Sequence, residues 1–458
     1  MIPLMKVPTI LLLSLSLNAS GQEAVLDLTK LLSYADQPVP AYVNRDNTPA
    51  GNPITDIGAT LGRVLFYDKA LSKNNTISCA SCHQQEHAFG DPAVASVGVD
   101  GTTGRHSMRL VNARFGDELR FFWDERAPTL EVQTTQPIRD HIEMGFSGGD
   151  GDPDFSALVA RISEIELYQV LFTAVYGSPE VTEEKMQSAL GQFIRSIQSF
   201  DSKYDEGLAA APNPNDNFAN FTNEENFGKR LFATPPGPGG GAGCATCHRP
   251  PTFDIDPRSG HNGVIGSLGG GLDLSNTRSP GLRDLVNAAG TPHGPFMHDG
   301  SKATLLEVIN HYNAIPAITP GLDPRLAGPP LRPGAPQTGG GQQLNLSNAS
   351  KEALVAFLET LTGTSVYSDK KWSSPFDDDN ELSFVVLPAG ATLSAGPGTM
   401  TLKAKGVPRV TYLLKSSPDL AQWDEGIEVT ANEAGELVHE MAGRPEAGFF
   451  CFVYRVPE

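Results

Sequence analysis

Two copies of one five-residue pattern govern what this chain can become. Cys79-Ala-Ser-Cys82-His83 and Cys244-Ala-Thr-Cys247-His248 account for four of the five cysteines. C-x-x-C-H is the attachment pattern of c-type haem. Two thiols three residues apart can both reach the haem vinyl groups as thioethers, and the adjacent imidazole then lies under the iron. The pattern therefore predicts two covalently bound haems, one on Cys79, Cys82 and His83 and one on Cys244, Cys247 and His248. A paired zinc site, a redox C-x-x-C or two disulfides would also use the thiols. None of these requires a His directly after each pair, and the pairs lie 165 residues apart. Cys451 stands in the apolar run Phe449–Tyr454 and reads as a small apolar residue of a buried strand, with a reactive thiol as the alternative.

The motifs sit in a repeat. Leu61-Gly-Arg-Val-Leu-Phe66 precedes the first, and Phe227-Gly-Lys-Arg-Leu-Phe232 precedes the second at nearly the same distance. Each reads as the end of a short amphipathic helix, then a loop, then the haem turn. Further helices are predicted over Glu183–Ile197 and Asn348–Thr360, the latter with Ser350 as N-cap. Ile318–Gln342 is rich in Pro and Gly and reads as a surface loop. After Phe376 the pattern changes to short strand-like runs at Phe384–Leu387, Thr399–Leu402, Val410–Leu414 and Phe449–Tyr454. The expected fold is mainly α: two cytochrome c-like haem domains in tandem, at 22–215 and 216–375, then a small all-β, sandwich-like domain at 376–458.

The first residues read as a secretory signal over 1–21. Lys6 gives a basic n-region, Ile10–Leu17 an apolar core, and Ala19 and Gly21 the small residues before a cut at Gln22. An uncleaved anchor is the alternative, although the apolar run is short for a bilayer. The chain is expected to be periplasmic, with no membrane span after cleavage. Its formal charge of −19 argues against nucleic acid and anionic membrane surfaces. It favours a basic protein partner.

The segment between the motifs narrows the reading. Phe121-Phe-Trp-Asp-Glu-Arg-Ala127, Leu130-Glu-Val-Gln133, Pro137-Ile138 and Ile142-Glu-Met144 are followed by Pro295-Phe-Met-His-Asp-Gly-Ser301 and Thr304–Ile309. With both haem motifs in order, residues 55–375 resemble the bacterial di-haem cytochrome c peroxidase and MauG family. The resemblance implies that His83 is the proximal ligand of a peroxidatic haem and His248 that of an electron-transfer haem. It implies that Gln133 and Glu143 lie over the open face of the first iron and that Trp123 lies between the haems. The chemistry agrees. Peroxide cleavage needs a group that takes a proton from one oxygen and returns it to the other, and a carboxylate in an enclosed pocket can do so. Gln133 can donate a hydrogen bond but cannot titrate.

Two departures bear on mechanism. Family members that need reductive activation carry a capping His eight residues before the position of His106, where this chain has Gly98. This resembles the MauG branch, with a cap from His87 or His106 as the alternative. Electron-transferring members place a Met fourteen residues after the His of the His-Asp-Gly motif, where this chain has Tyr312, as MauG-type proteins do. Tyr312 is thus the candidate distal ligand of the second iron, with Met297 or His311 as alternatives. The family also often holds a calcium between the haems. Its Asn ligand position reads His106 here, a poor ligand for a hard cation, so calcium would rest on carbonyls near Thr291 and Pro295.

The expected function is that of a di-haem peroxidase reducing hydrogen peroxide with electrons from a small c-type cytochrome. A MauG-like oxidase using a high-valent di-haem state on a protein or organic substrate is one alternative. A non-catalytic electron carrier or sensor is another. The resemblance also leaves a homodimer open.

Overall fold

The computed structural model describes residues 24–117, 120–237, 240–328, 340–396, 399–442 and 448–454. The expected signal segment, 1–21, lies outside the described residues, as does part of the Pro/Gly-rich loop. No helix among the described residues is long and apolar enough to cross a membrane. The chain is mainly helical, with a β-rich C-terminal region.

The helices are α1 (Asp56–Tyr67), α2 (Cys79–Cys82), α3 (Leu130–Thr135), α4 (Phe155–Ser163), α5 (Glu166–Tyr176), α6 (Glu183–Ser196), α7 (Lys203–Ala210), α8 (Asn223–Ala233), α9 (Leu305–Asn313) and α10 (Asn348–Glu359). The strands are β1 (Val25–Asp27), β2 (His248–Arg249), β3 (Asp254–Ile255), β4 (Ser383–Val385), β5 (Ala389–Gly396), β6 (Thr399–Lys405), β7 (Thr411–Ser417), β8 (Ile427–Thr430), β9 (Glu436–Ala442) and β10 (Phe449–Tyr454). Sequence placed the α10 N-cap at Ser350. The cap is Ser347, whose hydroxyl accepts from the Ser350 N–H at 3.1 Å.

The sequence repeat becomes a structural one. In the first half α1 crosses α6 at Gly62, where a Cβ would collide with the Ala189 carbonyl and press on Phe193. In the second, α8 crosses α10 at Gly228, where a Cβ would meet the Ala353 carbonyl and Phe357 in the same way. Only glycine lets two helix backbones approach so closely. The Phe one turn on from each alanine then fills the groove beside the crossing.

The buried residues form two clusters. One draws on residues 28–197 and, further along, on 366–437; the other draws on 204–361. Tyr204 of α7, which sequence assigned to the first domain, packs in the second cluster. The segment 366–373 packs on the first half. Trp372 is 2% exposed, and its indole N–H donates to Ser196 Oγ at 3.2 Å. The Tyr34 and Tyr67 hydroxyls donate to the carbonyls of Lys371 and Trp372, and Arg63 Nε to that of Ser373.

The β-rich region holds two antiparallel three-stranded sheets, ordered β5-β6-β9 and β10-β7-β8. Their buried residues, among them Leu402, Tyr412, Leu414 and Leu437, join the first cluster. Arg409 donates to the last carbonyls of α5, at Ala174 and Val175, where a cation complements a helix C-terminus. Cys451 of β10 is half-buried rather than buried, because its strand lies at the edge of its sheet and pairs with β7 alone. β1 pairs in parallel with β4, joining the start of the described chain to the start of the β-rich region.

Candidate functional site

Two cavities stand side by side. The first, of about 660 Å³, is lined by His83, Trp123, Gln133, Pro137 and Glu143. α2 carries the first thiol pair. Ser78 caps it with Ser81 in a reciprocal box, and burial pushes the Cys79 thiol up to about 12 and that of Cys82 to about 11. His83 follows in a tight turn. Gln84 N–H donates to Gly90 O at 2.9 Å, and Ala88 and Phe89 both take positive φ, at 56° and 58°. That geometry aims the Phe89 carbonyl at His83 Nδ1, which donates to it at 3.1 Å. A ligating histidine is oriented in this way, by the bond its other nitrogen makes.

Gln133 projects from α3, which Thr129 caps. Glu143 lies in the turn that follows, where Asp140 accepts from the N–H groups of both Ile142 and Glu143. Burial pushes the Glu143 carboxyl up to about 7, the negative charge of Asp140 adds to the rise, and Arg126 opposes it. Gly98 packs directly on this turn. Val99 N–H donates to Glu143 O at 3.1 Å and Asp100 N–H to Ile142 O at 3.2 Å. A Cβ on Gly98 would collide with the Ile142 carbonyl. Where relatives were expected to hold a capping His, this chain has a backbone clamp on Glu143. Of the two alternative caps, His87 is not on the wall of the first cavity, whereas His106 is, with Nδ1 donating to Ala93 O at 3.0 Å.

The second cavity, of about 410 Å³, is lined by Cys244, Cys247, His248, Asn262, Met297 and Tyr312. His248 opens β2 and pairs with Ile255 of β3. Burial pushes its imidazole down to about 4, so it is neutral, and its Nδ1 is buried with no hydrogen-bond partner. Across the cavity Asn262 Nδ2 donates to the Tyr312 hydroxyl at 3.3 Å and to Met297 Sδ at 3.2 Å. Both candidate distal groups therefore converge on one amide. His311 does not line the cavity, and its Nε2 donates to Asn262 O at 2.9 Å. Burial pushes the Tyr312 hydroxyl up to about 12.

One wall serves both cavities, and Trp123, His106 and Arg109 belong to it. Trp123 Nε1 donates to the His106 carbonyl at 2.7 Å, and its ring meets that of His298 edge-on at 6.2 Å. His106 N–H in turn donates to the His298 carbonyl at 2.8 Å. The structure thus brings Trp123, Gln133 and Glu143 to the cavity of His83, and Tyr312 to that of His248. The cluster of His and Asp side chains closest to metal-holding geometry among the described residues, Asp100, His141 and Asp152, stands apart from this wall. Lys73 ion-pairs with both of its aspartates.

The comparisons with known proteins agree with this geometry. Residues 57–212 match the family described as di-haem cytochrome c peroxidase. The methylamine utilization protein MauG of Paracoccus denitrificans (strain Pd 1222) is 30% identical over 373 residues, covering 68% of this chain and 89% of that protein. This chain belongs to the di-haem cytochrome c peroxidase/MauG family. The cytochrome c551 peroxidase of Nitrosomonas europaea is 28% identical over 318 residues, covering 67% of this chain and 80% of the relative. A crystal structure of a MauG-like protein associated with microbial copper homeostasis is similar with a TM-score of 0.58 and 29% identity. It covers 74% of this chain and 98% of that one.

Membership of the di-haem peroxidase/MauG family implies two c-type haems, and the donor sets fit them. In each, two thiols three residues apart precede a half-buried imidazole on a cavity wall; Cys79 and Cys82 stand on α2 just before His83, the residue that lines the first cavity, whereas Cys244 and Cys247 line the second beside His248. His248 Nδ1 is an orphaned donor there. Three residues of this family member were not singled out from sequence. Asn262 lies in a loop with no motif. Asp140 acts through its backbone-directed carboxylate, which spacing does not reveal. Arg109 offered only the signal of a cation in an acidic chain.

Proposed function

We infer that this protein is an exported di-haem oxidoreductase that uses hydrogen peroxide as electron acceptor, with a small c-type cytochrome as donor. Residues 22–215 and 216–375 are the two haem domains of this reading; the repeated glycine crossing supports the pair, with Tyr204 of α7 packed in the second core and 366–373 on the first. The residues before Gln22 support a periplasmic location. Bound haem supplies an iron that exchanges single electrons and, with a coordination position open, binds peroxide.

The observation that carries the reading is the pairing of Glu143 and Gln133 in the cavity of His83. A carboxyl near neutrality is suited both to take a proton and to return it. Glu143 accepts the proton of the near peroxide oxygen and delivers it to the far oxygen as that departs in water. Gln133 orients the peroxide by an amide N–H and leaves its protonation unchanged. Trp123 gives the two cavities a shared aromatic wall for electron passage.

The test adds hydrogen peroxide to the as-isolated oxidised protein, with no prior reduction, and follows the haem spectrum. The expected result is an immediate spectral change, then oxidation of added reduced cytochrome c. A reaction that waits for prior half-reduction overturns the open first site. An inert protein in both states favours a carrier or sensor.

A second reading has its own observation. Tyr312, rather than Met, stands in the second cavity at the expected ligand position, which supports MauG-like oxidation of a protein or organic substrate. A thioether ligand favours ferrous iron more than a phenolate does. Tyr312→Met is therefore expected to shift reduction of the second haem toward ferrous by about tenfold or more, 59 mV per decade for one electron. It should also speed cytochrome c oxidation. Spectroelectrochemistry reads the shift, and an unmoved potential removes Tyr312 from the iron.

A further inference from the structure

Arg109 has no part in the chemistry above, yet it lines both cavities. Its stem runs past Gly90, the residue that closes the His83 turn, and a Cβ there would lie 2.9 Å from Arg109 Cγ. At the far end Nη2 donates to the Gly281 carbonyl at 3.3 Å, and Gly281 is a wall residue of the first cavity. Nε is buried and has no hydrogen-bond partner. No carboxylate among the described residues forms an ion pair with this guanidinium. The acid nearest in influence is Asp284, which is fully buried and lines neither cavity. Asp284 Oδ1 is engaged by the Tyr367 hydroxyl at 2.6 Å and the Gly363 N–H at 2.8 Å.

A guanidinium whose buried Nε meets no acceptor and whose fork is in no ion pair is costly. Burial depresses it to about 10, although the charges of Asp284 and Tyr367 act the other way. The side chain is held by Gly90 beside its stem and by the Gly281 carbonyl at its tip, within the wall that the two cavities share. Haem carries its own anions, two propionate carboxylates, and a guanidinium matches a carboxylate in shape and charge. We propose that Arg109 is the haem-carboxylate anchor of the wall between the cavities, pairing through its free Nε with a propionate of the haem in the first cavity. Arg109 is then a positioning residue with an electrostatic consequence. A fixed cation beside the haem favours the ferrous state, and because Arg109 also lines the second cavity it biases both sites in the same direction. The inference rests on the reading that both cavities hold haem.

The experiment uses the full-length haem-loaded protein, Arg109→Gln and Arg109→Lys. Haem is counted by pyridine haemochromogen, the potentials are read by spectroelectrochemistry, and the propionate bending mode by resonance Raman. In Arg109→Gln the reduction equilibrium of the first haem is expected to shift toward ferric by about tenfold, 59 mV for one electron. The second haem should shift less in the same direction, and the propionate mode should move. Arg109→Lys restores the charge, so its potentials should lie within about threefold of wild type, while the propionate mode still moves because the fork is gone. Two bound haems with unmoved potentials and an unmoved propionate mode in Arg109→Gln overturn the proposal and leave the functional reading standing. If Arg109→Gln does not accumulate, an unmoved propionate mode in Arg109→Lys overturns it instead. A wild-type protein that binds no haem overturns the functional reading and the anchor together.

Discussion

Glu143→Gln is expected to slow peroxide turnover by about 10²–10⁴-fold, the usual worth of a positioned acid–base group. The amide keeps the size of the side chain and its place beside Gly98, so both haem spectra in the oxidised protein should stay as they are. What is lost is the ability to hold a proton in transit. In the wild type the peroxide reaction should rise with pH through about 7, as the carboxyl becomes the base that accepts the first proton. In the variant that limb should vanish. Stability supplies an independent check. The native carboxyl is raised from 4.5 to about 7 by burial, so the native state keeps a proton that the unfolded chain releases. Stability therefore falls as pH rises across that window, and the charged form bears the cost above it. Glu143→Gln removes this slope and should leave the variant more stable than wild type at pH 8. Stopped-flow rates against pH and denaturant melts at pH 5 and pH 8 read both effects. Unchanged turnover removes Glu143 from the proton path.

The largest effect on folding is expected at the two helix crossings. Gly62→Ala puts a methyl group into the Ala189 carbonyl, and Gly228→Ala puts one into that of Ala353. The obstructing atoms are helix backbone, which cannot rotate away as a side chain can. Either helix pair must separate and take Phe193 or Phe357 with it. Overpacking costs about 1–3 kcal/mol where side chains can yield, so a collision with backbone should reach the top of that range or exceed it. Because the buried residues form two clusters, the damage should be selective. Gly62→Ala lowers the melting of the first haem's absorbance and Gly228→Ala that of the second. Melting followed at bands specific to each haem measures this. Two variants that melt like wild type would mean that the crossings are looser than drawn.

Much of this arrangement was legible in the sequence because it is local. The haem turns follow from Cys and His at fixed spacing. α6, expected over Glu183–Ile197, forms over Glu183–Ser196 because its apolar residues recur at helical intervals behind a Thr182 cap. The family resemblance named Trp123, Gln133, Glu143 and Tyr312, and the fold brings each to a cavity wall. What was not legible is set by distance or by weak periodicity. β5 is built of Ala, Gly, Thr and Ser around a single Leu393, and β9 sets Glu and His among Leu, Val, Met and Ala, so neither shows a strong alternating face. The β1–β4 pair joins the start of the described chain to the start of the β-rich region, far away in sequence. Arg109 gains its meaning from cavities that no single segment encloses. The Gly98 clamp on Glu143 is a backbone contact, and residue identities reveal it only as an absent side chain.

The first buried cluster takes in Val366, Trp372 and core residues as far as Leu437, and β1 pairs with a strand that begins at Ser383. A ribosome delivers all of these pieces after the last residue of the second cluster. During synthesis Cys79 and Cys82 therefore emerge on a half-built body that lacks its later core residues, whereas the second cluster is complete by Leu361. The order of maturation is thus written into the chain path. The thiols that come out first belong to the core that closes last, which leaves the first haem pocket open longest to whatever delivers its haem.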